Sequence, residues 1–129
     1  MRQGSFLGGV KVSEAEVLRD VMHLLALKRV FHWRNNSGAY ADATSGRYIR
    51  FGKKGSADIL AVYPDGSGRF WAIECKRPKG LLSDDQILFL RDVRKHGGIS
   101  TVCEGVEDIL RFLSDPRALN AERYEKLLG

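Results

Sequence analysis

The chain has 129 residues, of which 43% are hydrophobic and 29% charged, and a formal net charge of +5. These values describe one soluble globular domain and exclude a disordered, collagen-like or disulfide-scaffold chain. No apolar run approaches the roughly 20 residues of a membrane span. Residues 1–9 lack the long apolar stretch of a secretory signal, so a cytoplasmic setting is expected. The expected organisation is one domain over residues 1–129, with its core at about 13–113 and a tail at 114–129.

Charge is concentrated. Residues 28–54 hold Lys28, Arg29, Arg34, Arg47, Arg50, Lys53 and Lys54 against the single acid Asp42. A polyanion such as nucleic acid and an ordinary solvated basic face explain this equally well on charge alone.

The first element is a helix from about Ser13 to Leu27 or Lys28. Ser13 and Glu16 have capping-box spacing, Val12 and Val17 occupy the staple positions, and Val17, Leu18, Val21, Leu24 and Leu25 form one apolar face. Val30-Phe31-His32-Trp33-Arg34 alternates as a strand, which Asn35-Asn36-Ser37-Gly38 ends. Arg47–Phe51 is a second, weaker strand, and Lys53-Lys54-Gly55-Ser56 is a basic loop. Ile59–Tyr63 is continuously apolar, as in a strand covered on both faces. Pro64-Asp65-Gly66-Ser67-Gly68 turns the chain into the strand Arg69–Lys76, which Pro78 stops. A second capping box, Ser83 with Gln86, opens a helix through Phe89, Leu90 and Val93 that Gly97-Gly98 ends. Ile99–Cys103 is a strand, Val106–Leu113 a helix, and the tail adds at most one short helix. The order α-β-β-β-β-α-β-α predicts an α/β domain, a mixed β-sheet flanked by helices. Cys75 and Cys103 read as buried thiols of a reducing compartment. Trp33 and Trp71 read as core rather than as platforms for bases, and His23, His32 and His96 show no zinc-ligand spacing.

Chemistry centres on Asp58 and Glu74-Cys75-Lys76. Residues two apart on a strand share a face, so Glu74 and Lys76 point together. If the five residues Pro64–Gly68 close the hairpin, Tyr63 pairs with Arg69 and Asp58 falls opposite Glu74. Two carboxylates and an ammonium then converge. That set suits a hard cation such as Mg²⁺, held by Asp58 and Glu74 with the Cys75 backbone carbonyl as a further ligand, while Lys76 assists a nucleophile. The alternative is a solvated charged sheet edge. The apolar neighbours Phe70, Trp71, Ala72 and Ile73 argue against it, because burying an unpaired charge is costly.

Asp58, sixteen residues before Glu74-Cys75-Lys76, resembles the PD-(D/E)XK nuclease signature, the restriction-endonuclease-like core. Within it the chain resembles the VRR-NUC (virus-type replication-repair nuclease) family of the stand-alone phage and bacterial type. The matching stretches are Ser13–Glu16, Trp33–Gly38, Phe51–Asp58, Ile73–Pro78 and Leu82–Gln86, in the family's order. Ala57 stands where a proline commonly precedes the metal-binding Asp. The resemblance implies an Mg²⁺- or Mn²⁺-dependent endonuclease acting as a homodimer on branched DNA such as Holliday junctions, leaving 5′-phosphate and 3′-hydroxyl ends. It also implies a glutamate from the first helix. Glu14 lies on the apolar face that packs on the sheet whereas Glu16 points away, so Glu14 is assigned, for a second metal or through a water; its other role is a favourable charge at a helix start. Gln86 matches the family's helix glutamine, but it is equally the capping partner of Ser83. Arg34, Asn35, Asn36, Arg47, Arg50, Lys53 and Lys54 are candidate phosphate contacts as a cluster, though each alone reads as solvated surface. Two other readings remain: a repair or restriction-like nuclease on flaps, nicks or linear duplex, and a non-catalytic nucleic-acid-binding module.

Overall fold

The computed structural model describes residues 11–129. The expectation for residues 1–9 lies outside the described residues. None of the described helices is long and apolar enough to cross a membrane.

Helix α1 (Glu14–Leu27) begins at Ser13, and both halves of the capping box form. It ends in a Schellman motif: Val30 N–H donates to Leu25 O and Arg29 N–H to Ala26 O, at 3.0 Å each. That motif places Arg29 at φ 55°, where glycine is the usual occupant. It also delays the first strand, β1, to His32–Arg34, because Val30 is engaged in closing the helix.

The main sheet has the order β1-β4-β5-β6, with β4 at Ile59–Val62, β5 at Phe70–Cys75 and β6 at Ile99–Cys103. β1 and β4 are antiparallel, as are β4 and β5, while β5 and β6 are parallel. The sheet is therefore mixed, as expected. Helix α2 (Asp84–Lys95) makes the crossover, and α3 (Val106–Ser114) and α4 (Glu122–Leu128) follow β6.

The weak second strand behaves differently from expectation. It becomes β3 (Tyr48–Phe51), which leaves the main sheet and pairs with β2 (Gly38–Ala41) in a separate antiparallel ribbon. β2 hid in the sequence because it starts inside the turn-forming Asn35–Gly38 run and carries two alanines, which are poor strand formers.

One sheet face packs Ile59, Trp71, Ile73 and Ile99 against Val17, Val21 and Leu25 of α1 and Ile109 and Phe112 of α3. The other packs Ala72 and Val102 against Leu90 and Val93 of α2 and Tyr124 and Leu128 of α4. The tail thus contributes to the packing. Cys75 and Cys103 are free, buried and cross-strand neighbours, with sulfurs 3.5 Å apart. Trp71 is core, its Nε1 donating to Thr101 Oγ1 at 2.7 Å. Trp33 is not: it is 43% exposed, because the edge strand β1 carries it away from α2.

Candidate active site

The β4–β5 hairpin has the expected register. Tyr63 N–H donates to Arg69 O at 2.9 Å, and Ile59 lies opposite Ile73. One step further puts Asp58 level with Glu74. The Asp58 carboxylate turns along the strand and accepts the Cys75 N–H at 2.8 Å.

Glu74 is 2% exposed and Lys76 7%. The Lys76 Nζ lies 3.9 Å from Glu74 Oε2 and 3.6 Å from Glu14 Oε1. Lys76 N–H donates to Cys103 O at 2.9 Å, so pairing with β6 extends to the residue carrying the ammonium. Glu14 is the first residue of α1 and also lies 3.8 Å from Arg77 Nη1, a cation the sequence reading did not single out. Its only signal there was its place beside Lys76.

Gln86 caps α2 as expected and also reaches Glu74, through opposite ends of one amide. Its Oε1 accepts Ser83 N–H at 2.9 Å, completing the cap of α2, and its Nε2 donates to Glu74 Oε2 at 3.1 Å. Glu74 Oε1 is buried and receives no hydrogen bond. Burial pushes the Glu74 carboxyl up to about 9; the Asp58 carboxylate adds to this and the Lys76 ammonium opposes it.

Among the described residues no group of three His, Cys, Asp or Glu side chains is placed to hold a metal ion. The oxygens of Asp58, Glu74 and the Cys75 carbonyl still fit a hard divalent cation, which needs only one or two carboxylates when water and substrate phosphate complete its shell. The unpartnered Glu74 Oε1 is the observation that favours this fit, since a buried carboxyl oxygen left without a donor is open to a cation.

The expected phosphate contacts are not equivalent. Asn35 Nδ2 donates to Ser56 Oγ at 2.7 Å and Ala57 O at 2.9 Å, so its amide latches β1 to the loop leading into Asp58. Lys54 pairs with Asp85 at 3.2 Å, and Arg34 donates to Asn36 Oδ1 at 3.0 Å. Between Lys54 and Ser56, Gly55 packs so closely on α2 that a Cβ would sit 2.4 Å from Asp85 O. Arg47, Arg50 and Lys53 are exposed and make no ion pair among the described residues; Arg50 lies on β3 of the ribbon and Arg47 just before it. Asn35's latch had no sequence signal, because it depends on a partner 21 residues away.

A mixed sheet between helices, with Asp58 and the Glu74–Lys76 strand at one end, has the layout of the PD-(D/E)XK class of DNA nucleases. The VRR-NUC domain profile matches residues 10–107, and the chain belongs to the VRR-NUC family. Its domain is accordingly a nuclease domain acting on DNA. No curated protein and no solved structure matches the chain.

Proposed function

We propose that the protein is an Mg²⁺- or Mn²⁺-dependent endonuclease that cuts branched DNA, Holliday junctions among them, as a homodimer in the cytoplasm. The observation that carries the reading is the meeting of Asp58, the buried and half-unpartnered Glu74, and Lys76 at one end of the hairpin. Asp58, Glu74 and the Cys75 carbonyl would hold the cation. Bound there, it would supply positive charge against the scissile phosphate and ease the ionisation of water.

The remaining work falls to the chain itself. Lys76 orients the attacking water and offsets charge on the phosphate as the bond breaks. Its ammonium is held in place by Glu14 and Glu74. Glu14 can also serve a second cation. Gln86 restrains Glu74. Arg34, Asn36, Arg47, Arg50, Lys53 and Lys54 grip the backbone on either side, while Asn35 holds the loop that aims Asp58. A homodimer follows from the symmetric incision of a four-way junction, which needs two such sites.

The test incubates purified protein with four-way junction, flap and linear duplex, in Mg²⁺ or in EDTA, alongside Lys76→Ala and Asp58→Asn. Metal-dependent incision of the junction, lowered about a thousandfold in both variants, is expected. Binding without metal-dependent cleavage would leave the non-catalytic module as the reading. Equal cutting of linear duplex would remove the preference for branches. A monomer in light scattering with junction present would remove the dimer.

A further inference from the structure

The sheet face that carries Glu74 is only partly roofed. Helix α2 covers β5 and β6 and leaves the β1–β4 half of that face open. Trp33 stands there opposite Leu60, and Phe31 is bonded alongside Val62. Phe31 is 71% exposed and Trp33 43%, and their rings lie 5.6 Å apart. Next to this aromatic pair runs an open groove of about 510 Å³, with Leu60 and Phe70 on the sheet side and Phe89 and Val93 on the α2 side. One end of the groove reaches Lys53 and Ser56, and Ser56 is two residues before Asp58.

The groove is apolar along most of its length and carries Lys53 at the end that leads toward Asp58, with Asp92 and His96 on its α2 side. A polyanion with flat, apolar faces satisfies both features, and nucleic acid is that ligand. Paired bases are turned inward and stacked on one another, so only unpaired bases present their faces to such a wall. We propose that Trp33 and this groove hold unpaired nucleobases of a single strand leading into the cleavage site. The inference rests on the nuclease reading and adds to it a preference for branched DNA with unpaired nucleotides beside the cut.

The test needs no cleavage. Trp33 is exposed while Trp71 is fully buried, so quenching of the exposed emission reports on Trp33. An oligothymidylate of about 12 nucleotides, within the span that single-strand binders cover, is titrated in EDTA at fixed salt. Quenching is expected, with a much smaller response to blunt duplex of the same length. By anisotropy of the labelled strand, Trp33→Ala weakens binding about tenfold and Trp33→Phe restores most of it, while duplex affinity is unchanged. Phe31→Ala, at a still more exposed position, should act in the same direction and serves if the first variant melts early. Trp33 emission unmoved by the strand, or unchanged strand affinity in both alanine variants, would overturn the proposal. So would a Trp33→Ala protein that loses only self-association, since the face would then belong to a second copy. Junction cleavage with no response at Trp33 removes the groove and spares the nuclease. Strand binding without any cleavage supports the groove and counts against the nuclease.

Discussion

On one side of the sheet, Ile59, Trp71 and Ile73 disappear beneath α1 and α3. On the other, the same strands turn out Leu60, Phe70 and Glu74, with Lys76 following, and α2 and α4 cover only part of them. The closed side holds the fold and lends the site only Glu14, at the start of α1. The open side gives up packing to keep a buried carboxylate, an ammonium and an apolar groove together. Substitutions should therefore separate by face.

The largest expected effect is on the open side. Glu74→Gln should lower metal-dependent cleavage about a thousandfold. The same variant should melt higher than wild type in EDTA at neutral pH, because folded wild type must keep a proton on Glu74 that the unfolded chain gives up. A lower melting temperature for this variant would break the comparison. On the closed side Leu25→Ala should cost about 3 kcal/mol in urea unfolding while leaving strand binding by the folded protein unchanged. Smaller still, Arg29→Gly should stabilise by about 1 kcal/mol without altering cleavage, since it relieves the left-handed residue of the Schellman motif.

The smallest effect is a pH dependence. Burial alone would raise Glu125, but hydrogen bonds from Arg94 and Asn120 outweigh it and hold the carboxyl below the ordinary glutamate value. A lowered folded value means stability that is present above the unfolded value of about 4.5 and lost as pH falls below it. Melting temperatures taken downward from pH 5 should drop more steeply for wild type than for Glu125→Gln. Parallel curves would show that the pair contributes nothing.

Much of this was legible in the residues themselves. Both capping boxes are local, so Ser13 with Glu16 and Ser83 with Gln86 could be read directly and formed as read. The Asp58–Glu74 alignment followed from one loop length, because an antiparallel hairpin leaves no other freedom once its turn is set. What escaped depended on distant partners or on the limits of a neighbouring element. The β2–β3 ribbon formed from segments with little intrinsic strand preference. Trp33 has the composition of a core residue, and its exposure is decided by how far α2 reaches across the sheet. Asn35 was read with the cations around it, whereas its amide is committed to Ser56 and Ala57.

The doubled use of Gln86 has a consequence for heat. One amide closes the first turn of α2 and also restrains the acid beneath it. Helix ends fray before cores melt. When that turn opens, the acid loses its restraint while Leu90 and Val93 still hold the rest of the helix down. Warming should therefore silence the protein reversibly at temperatures where it still looks fully folded by circular dichroism.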